Sequence, residues 1–115
     1  MGFLYYGSET QPAEMPDRIL AHLKLVTTTK LRRGESFTVS WRHTAGTPDG
    51  RTSIWMQPSI PLRFVFDGSE PEQLDPDLLQ TLANSANSAN GLIIDLEEEP
   101  GREASHEGDP DRAAA

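Results

Sequence analysis

The sequence predicts a small α+β domain, in which an antiparallel or mixed sheet of about five to six strands carries two helices on one face. Three observations predict this class. Apolar residues recur with a helical period between residues 17 and 33, an Asp75-Pro76 pair begins a second helix, and alternating strand patterns lie around them. The predicted order is β(β)αβββαβ. A chain of 115 residues forms one domain, which we assign to residues 1–96.

The N-terminal third contains two short strands and the first helix. GFLYY, residues 2–6, is aromatic and apolar, and PAEM, residues 12–15, predicts a short return strand. A helix follows over residues 17–33. Asp17 in its first turn suits the helix dipole, and Gly34 is able to take the left-handed conformation just after its end. One face of this helix carries Ile19, Leu20, Leu23, Val26, Thr27 and Leu31.

The remainder of the domain predicts three strands, a helix and a last strand. Residues 36–43 and 62–66 alternate apolar and polar side chains, which is typical of half-buried strands, and residues 51–57 predict the second strand of a hairpin with 36–43. The second helix begins at Asp75 and runs to Asn90-Gly91, and residues 91–97 form the final strand. The candidate core residues outside the first helix are Trp41, Ile54, Trp55, Leu62, Phe64, Phe66, Leu78, Leu79, Leu82, Ile93 and Ile94.

The net charge of −8 is unevenly distributed. Residues 18–66 carry +6, whereas residues 1–17, 67–94 and 95–115 carry −3, −5 and −6. This asymmetry is compatible with an anionic partner or with a tail that folds over a basic face, but we favour the simpler explanation that a small protein needs surface charge for solubility. Residues 97–115 are poor in apolar side chains and rich in acids, Pro and Gly, so we predict a disordered acidic tail.

Several chemistries are excluded or disfavoured. The chain has no cysteine, so disulfides, zinc thiolates and cysteine nucleophiles are excluded. No G-x-S-x-G, GxGxxG or Walker A motif occurs, and three scattered histidines have no metal-ligand spacing. We therefore predict no enzyme, cofactor or metal. The N-terminus has no signal-peptide pattern and no stretch is apolar enough for a bilayer, so we expect no membrane association and a cytoplasmic protein.

The segment KLRRGESF raises the one electrostatic question. Lys30, Arg32 and Arg33 precede a helix-ending glycine, where cations stabilise the unpaired carbonyls by about 0.3–1 kcal/mol each. Capping therefore explains them without a ligand, and a phosphate site is the alternative. The residues that we single out as candidate partner or phosphate contacts are Arg18, Leu25, Lys30, Arg32, Arg33, Arg42, Arg51 and Arg63.

Four segments carry a resemblance to a known family: MGFLYYG, DRILAHLKLVTTTKLRRGESF, GRTSIWMQPSIPLRFVFDG and LLQTLANSANSANGL. Over residues 1–96 the chain resembles a small uncharacterised actinobacterial domain whose members often carry the label "ATP-dependent DNA ligase". The resemblance implies an association with ligase-like regions in longer proteins, and it implies no activity and no catalytic residue.

We reject ligation itself from the sequence, because the chain is too short for a nucleotidyltransferase domain with its partner domain and lacks the adenylation motif. An ATP-dependent ligase adenylates a lysine in a K-x-D-G setting, and neither Lys24 nor Lys30 stands in one. Two hypotheses of different class therefore remain. We favour a non-enzymatic interaction module that binds a protein partner or itself, because the charge of residues 1–94 is about −2. The alternative is a nucleic-acid-binding accessory domain, associated with a DNA ligase, whose acidic tail competes for the basic face.

Overall fold

A computed structural model describes residues 1–43 and 48–96. The predicted disordered tail, residues 97–115, lies outside the described residues. Two helices and six strands form the domain, so the predicted α+β class and element order are confirmed. The elements are β1 (Gly2–Tyr6), β2 (Ala13–Met15), α1 (Asp17–Arg32), β3 (Phe37–Arg42), β4 (Arg51–Met56), β5 (Leu62–Val65), α2 (Pro76–Ala86) and β6 (Leu92–Ile94).

The strands divide between two three-stranded sheets, where we expected one. The first sheet has the order β2-β1-β5 and is antiparallel. The second has the order β4-β3-β6, with β4 antiparallel and β6 parallel to β3. The chain leaves β4 through Gln57-Pro58-Ser59-Ile60-Pro61, whose two prolines cannot donate to a sheet ladder. Consequently β5 pairs with β1 instead of continuing the β3–β4 hairpin.

One core lies between the sheets and the helices. The predicted apolar stripe of α1 is buried except for the half-buried Leu31, and it belongs to the same core cluster as Leu4 of β1 and the inner side chains of β3. Helix α1 contacts β1, helix α2 contacts β3 and β6, and the two helices contact each other. Among residues 1–43 and 48–96, no helix has the length and apolar content needed to cross a membrane.

Two predicted core residues face outward instead. Trp55 and Ile93 are 53% and 55% exposed. On β4 the inward positions are Ile54 and Met56, so Trp55 between them must point to the other side of the sheet. Ile93 lies in the same way between the buried Leu92 and Ile94 of β6. The prediction that Ile54 with Trp55, and Ile93 with Ile94, all belong to one core is wrong. Successive side chains of a strand point to opposite faces of the sheet, so two neighbours cannot both face the same core.

The ends of α1 follow the predicted signals. Gly34 has φ = +74°, and its N–H donates to Leu31 O at 3.0 Å. The N–H of Glu35 donates to Lys30 O, also at 3.0 Å. These two bonds form a Schellman motif, which satisfies the last carbonyls of the helix.

The start of α2 agrees with the prediction, and its end does not. The Asp75 side chain accepts the N–H of Asp77 at 2.9 Å, as an N-cap does. The helix ends at Ala86, four residues before the predicted Asn90. Beyond it, Ser88 Oγ donates to Ser85 O at 2.7 Å. This side-chain bond competes with continued helix, a known tendency of serine.

Candidate functional site: the outer face of the second sheet

Two of the predicted contact residues are engaged inside the domain. The Arg18 guanidinium donates to Asp75 Oδ2 at 3.0 Å, which joins α1 to the N-cap of α2. Lys30 Nζ lies 2.7 Å from Asn87 Oδ1 and 2.9 Å from Glu35 Oε1, and its side chain is only 12% exposed. Both side chains connect the ends of the two helices, so their contacts are explained by the fold.

The Lys30 ammonium also acts on the titration of its partner. Its hydrogen bond to the Glu35 carboxylate is the main cause that holds the pKa of that carboxyl below its usual value, and its charge and that of Arg33 act in the same direction. The Glu35 carboxyl at the C-terminal end of α1 therefore stays ionised to a lower pH than an ordinary glutamate does.

Three further predicted contact residues are exposed on α1 or just after its end, and a fourth, Arg63, stacks on an aromatic ring. Leu25, Arg32 and Arg33 are exposed. The Arg63 guanidinium lies 4.3 Å from the centroid of the Tyr5 ring, its cross-strand partner on β1. This cation–π contact gives Arg63 a structural partner on the first sheet.

Arg42 and Arg51 form a cross-strand pair on the second sheet. The N–H of His43 donates to Gly50 O at 2.8 Å, so residues 43 and 50 are a hydrogen-bonded pair in this antiparallel hairpin. Hydrogen-bonded and non-hydrogen-bonded pairs alternate. The two arginines therefore occupy a non-hydrogen-bonded position, where Cα atoms are about 4.5 Å apart and side chains are closest. Like charges directly opposite each other destabilise a sheet.

Within residues 1–43 and 48–96, no salt bridge joins either arginine to a carboxylate. Arg42 and Arg51 are both exposed, and they line a shallow depression of about 590 Å³. Asp95 also lines this depression, and it takes part in a polar or electrostatic interaction. The local charge of these three side chains is therefore positive.

Apolar and hydroxyl groups complete this surface. Trp55 lies four residues after Arg51 on β4. Ile93 lies opposite Ser40, on the strand β6 that is parallel to β3. Between them Ser40 Oγ and Ser53 Oγ are 2.7 Å apart and share one hydrogen bond. We name as the outer face the residues Ser40, Arg42, Arg51, Ser53, Trp55 and Ile93.

The arginines predicted from sequence do not form one patch. Lys30 Nζ lies 5.8 Å from the centroid of the Phe37 ring, so the C-terminal end of α1, with Arg32 and Arg33, is at the beginning of β3. Arg42 is at the other end of β3, five residues or about 17 Å further on. The two arginine pairs therefore lie at opposite ends of this strand.

Sequence reasoning missed the two apolar members of the outer face. Trp55 and Ile93 were assigned to the core because they are large and apolar. The usable signal was adjacency, since each stands next to another apolar residue on the same strand and one of the two must face outward.

A second depression lies between the two sheets. It measures about 640 Å³ and is lined by apolar side chains of both sheets, among them Leu4 and Ile54. Glu9 and Glu14 also line it, so its charge is opposite to that of the outer face. Leu96 lines both depressions.

The described histidines have structural roles. His22 is fully buried, and His43 places its ring nitrogens against Pro48 O at 3.0 Å and Thr52 Oγ1 at 2.8 Å. In the described parts of the chain, 1–43 and 48–96, no group of three or more His, Cys, Asp or Glu side chains is arranged to hold a metal ion.

A family model described as a domain of unknown function, DUF7882, matches residues 1–97. The chain belongs to the DUF7882 family. The match covers the whole predicted domain, which confirms the resemblance to an uncharacterised family; the actinobacterial origin and the ligase label stay predictions. No curated protein and no solved structure shows a significant match to this DUF7882 chain.

Proposed function

We propose that the domain is a non-enzymatic interaction module that binds a partner protein on the outer face. The observation that supports it is the combination of two large apolar side chains, each more than half exposed, with an arginine pair that forms no salt bridge to a carboxylate within residues 1–43 and 48–96. Exposed apolar surface beside polar groups is typical of interaction sites.

The chemistry of the face specifies the partner. Trp55 and Ile93 favour apolar side chains, and tryptophan is enriched among the residues that dominate binding energy. Arg42 and Arg51 favour carboxylates, because an anion between them relieves their mutual repulsion and accepts charge-assisted hydrogen bonds. The partner surface that fits is therefore apolar with flanking Asp or Glu side chains. We expect this binding in the cytoplasm.

Site-specific photo-cross-linking in the native cell tests the proposal. A benzophenone amino acid replaces Trp55 in the full chain, and the same residue placed at the exposed Gln80 of α2 is the control. We expect an adduct with a partner protein from position 55 and none from position 80. Reversal of both arginines, Arg42→Glu with Arg51→Glu, should abolish the adduct. Equal yields from both positions, no adduct, or an adduct only with a second copy of this chain would overturn the proposal.

A second candidate function uses the same face to bind single-stranded nucleic acid. It is favoured by the exposed Trp55 ring beside two arginines and two serine hydroxyls, because bases stack on aromatic rings and arginines contact phosphates. It ranks second because residues 1–96 carry a net charge of −3 and Trp55 is the one exposed aromatic side chain on the described outer face. An association with a DNA ligase is supported by the family resemblance alone.

Fluorescence anisotropy with a labelled single-stranded oligonucleotide, measured across salt concentrations, decides between the two. If the outer face contacts phosphates, Arg42→Gln with Arg51→Gln should reduce the log–log salt slope by about 1.4. Arg32→Gln with Arg33→Gln removes the same charge at the other end of β3 and should leave that slope unchanged. No binding by the wild-type chain at low salt would eliminate this candidate.

A further inference from the structure

Strand β6 ends beside the outer face, and the sequence continues from there with an acidic run. Strand β6 runs parallel to β3, with Ile94 opposite Trp41, and Leu96 lines the depression that Arg42 and Arg51 also line. The next three residues of the sequence, 97–99, are all glutamate. Neighbouring strands are about 4.8 Å apart, and three residues span at most about 10 Å. A run of this length is therefore long enough to span from β6 across β3 to β4.

Leu96 lines both depressions, and charge favours the one on the outer face as the place where the acidic run binds. The depression between the sheets carries Glu9 and Glu14, which repel further carboxylates. The depression on the outer face carries Arg42 and Arg51, against one acid, Asp95. A carboxylate between the two arginines replaces a like-charge repulsion by two attractions.

We infer that the acidic run, residues 97–99, binds the arginine pair of the outer face and so acts as an intramolecular competitor of the partner protein. The competition rests on the proposed function, whereas the binding of the run to Arg42 and Arg51 does not. An intramolecular ligand of this kind has a high effective concentration, so it sets a threshold that only a better complementary partner surface overcomes.

Paramagnetic broadening in the full chain tests the binding directly. The chain has no cysteine, so a nitroxide on Ala104→Cys is the only label. We expect loss of amide signal intensity at Ser40, Arg42, Arg51 and Ser53, and less at Glu9 and Glu14. The loss at the outer face should diminish in about 1 M salt, where the Debye length is about 3 Å.

Matched variants separate this specific contact from general attraction. Replacement of the near acids, Glu97→Gln, Glu98→Gln and Glu99→Gln, should restore most of the lost intensity. Replacement of three acids further along, Glu103→Gln, Glu107→Gln and Asp109→Asn, changes the charge equally and should restore less. On the other side of the contact, Arg42→Gln with Arg51→Gln should restore intensity, and Arg32→Gln with Arg33→Gln should not.

Two results would overturn the inference. The first is broadening at the outer face that is unchanged in the Glu97–Glu99 variant. The second is equal recovery in the near and far acid variants, which would show that net charge alone acts. Photo-cross-linking from position 55 is scored separately: its yield should rise several-fold in the Glu97–Glu99 variant. If no cross-link forms from position 55 but the broadening at the outer face is still present, the proposed partner protein is refuted. The binding of residues 97–99 to Arg42 and Arg51 is then retained.

Discussion

The imidazole of His22 accepts, through Nε2, the backbone N–H of Asp75 at 2.8 Å. Its Nδ1 lies 2.6 Å from Arg18 O, so Nδ1–H donates there and the ring is the neutral Nδ1–H tautomer. The same Asp75 accepts from Arg18 and caps α2. A buried histidine of α1 therefore positions Asp75, the N-cap of α2, against α1.

Removal of this buried acceptor should destabilise the domain. His22→Leu leaves the half-buried N–H of Asp75 without its acceptor, and we expect a loss of about 1–3 kcal/mol in the free energy of unfolding. His22→Gln retains an acceptor at the side-chain end and should lose less. Urea denaturation of the two variants measures the difference. Equal losses of unfolding free energy in the two variants would show that His22 stabilises the domain through packing and not through its hydrogen bond to Asp75.

The two glycines with nearly equal positive φ should differ in their tolerance of a side chain. Gly34 and Gly91 have φ of +74° and +77°. A Cβ on Gly34 meets no atom within 4 Å, whereas a Cβ on Gly91 would lie 2.1 Å from Thr38 Oγ1 and 2.8 Å from Thr38 O. Gly34→Ala should cost about 1–2 kcal/mol for the left-handed conformation alone, and Gly91→Ala should cost more. Equal values in thermal denaturation would contradict the close approach.

The two tryptophans provide a matched test of which face is buried. Trp41 is 8% exposed and Trp55 is 53% exposed. Trp41→Ala should reduce the free energy of unfolding by about 3–5 kcal/mol, and Trp55→Ala by about 1 kcal/mol or less. Denaturation followed by circular dichroism measures both. A large loss for Trp55→Ala would mean that the outer face is covered within the domain and would remove the basis of the proposed function.

The Glu35 carboxyl should titrate below its ordinary pKa in the folded domain, chiefly because of its hydrogen bond with Lys30. A depressed folded pKa means that the stabilisation is fully present above the unfolded pKa and is lost as the pH falls through the folded pKa. Carboxyl-carbon NMR measures the titration. Lys30→Met should raise the Glu35 pKa more than Arg33→Gln does, and the reverse order would refute the assignment.

Neither lysine should become adenylated. Lys24 Nζ lies 5.8 Å from the centroid of the Phe66 ring, Lys30 is held by Asn87 and Glu35, and no K-x-D-G motif is present. Incubation with labelled ATP and Mg²⁺, followed by a denaturing gel, should show no covalent label. A labelled band that disappears in Lys24→Arg or Lys30→Arg would show that the domain is an enzyme.

The sequence by itself determined the order of the elements of this domain and most of the helix ends. The period of Ile19, Leu20, Leu23 and Val26, the glycine after the first helix and the Asp75 cap are local signals, because helix geometry and capping depend on residues within a few positions of each other. Local spacing therefore predicted both helix starts, the end of α1 and the alternation of β3. The end of α2 was missed, because serine hydroxyls compete with the helix for its own carbonyls.

Only the tertiary structure decided which surface is free. The residues around Trp55 in the sequence do not determine whether Trp55 or Ile54 faces the core. That choice depends on the side of the sheet on which the helices pack. The same holds for charge: Arg18 and Lys30 find partners 57 residues away, whereas Arg42 and Arg51 face each other across a hairpin. Pairing across the fold, and not formal charge, makes these two arginines the candidate contacts, because an electrostatic interaction depends on distances that only the folded chain defines.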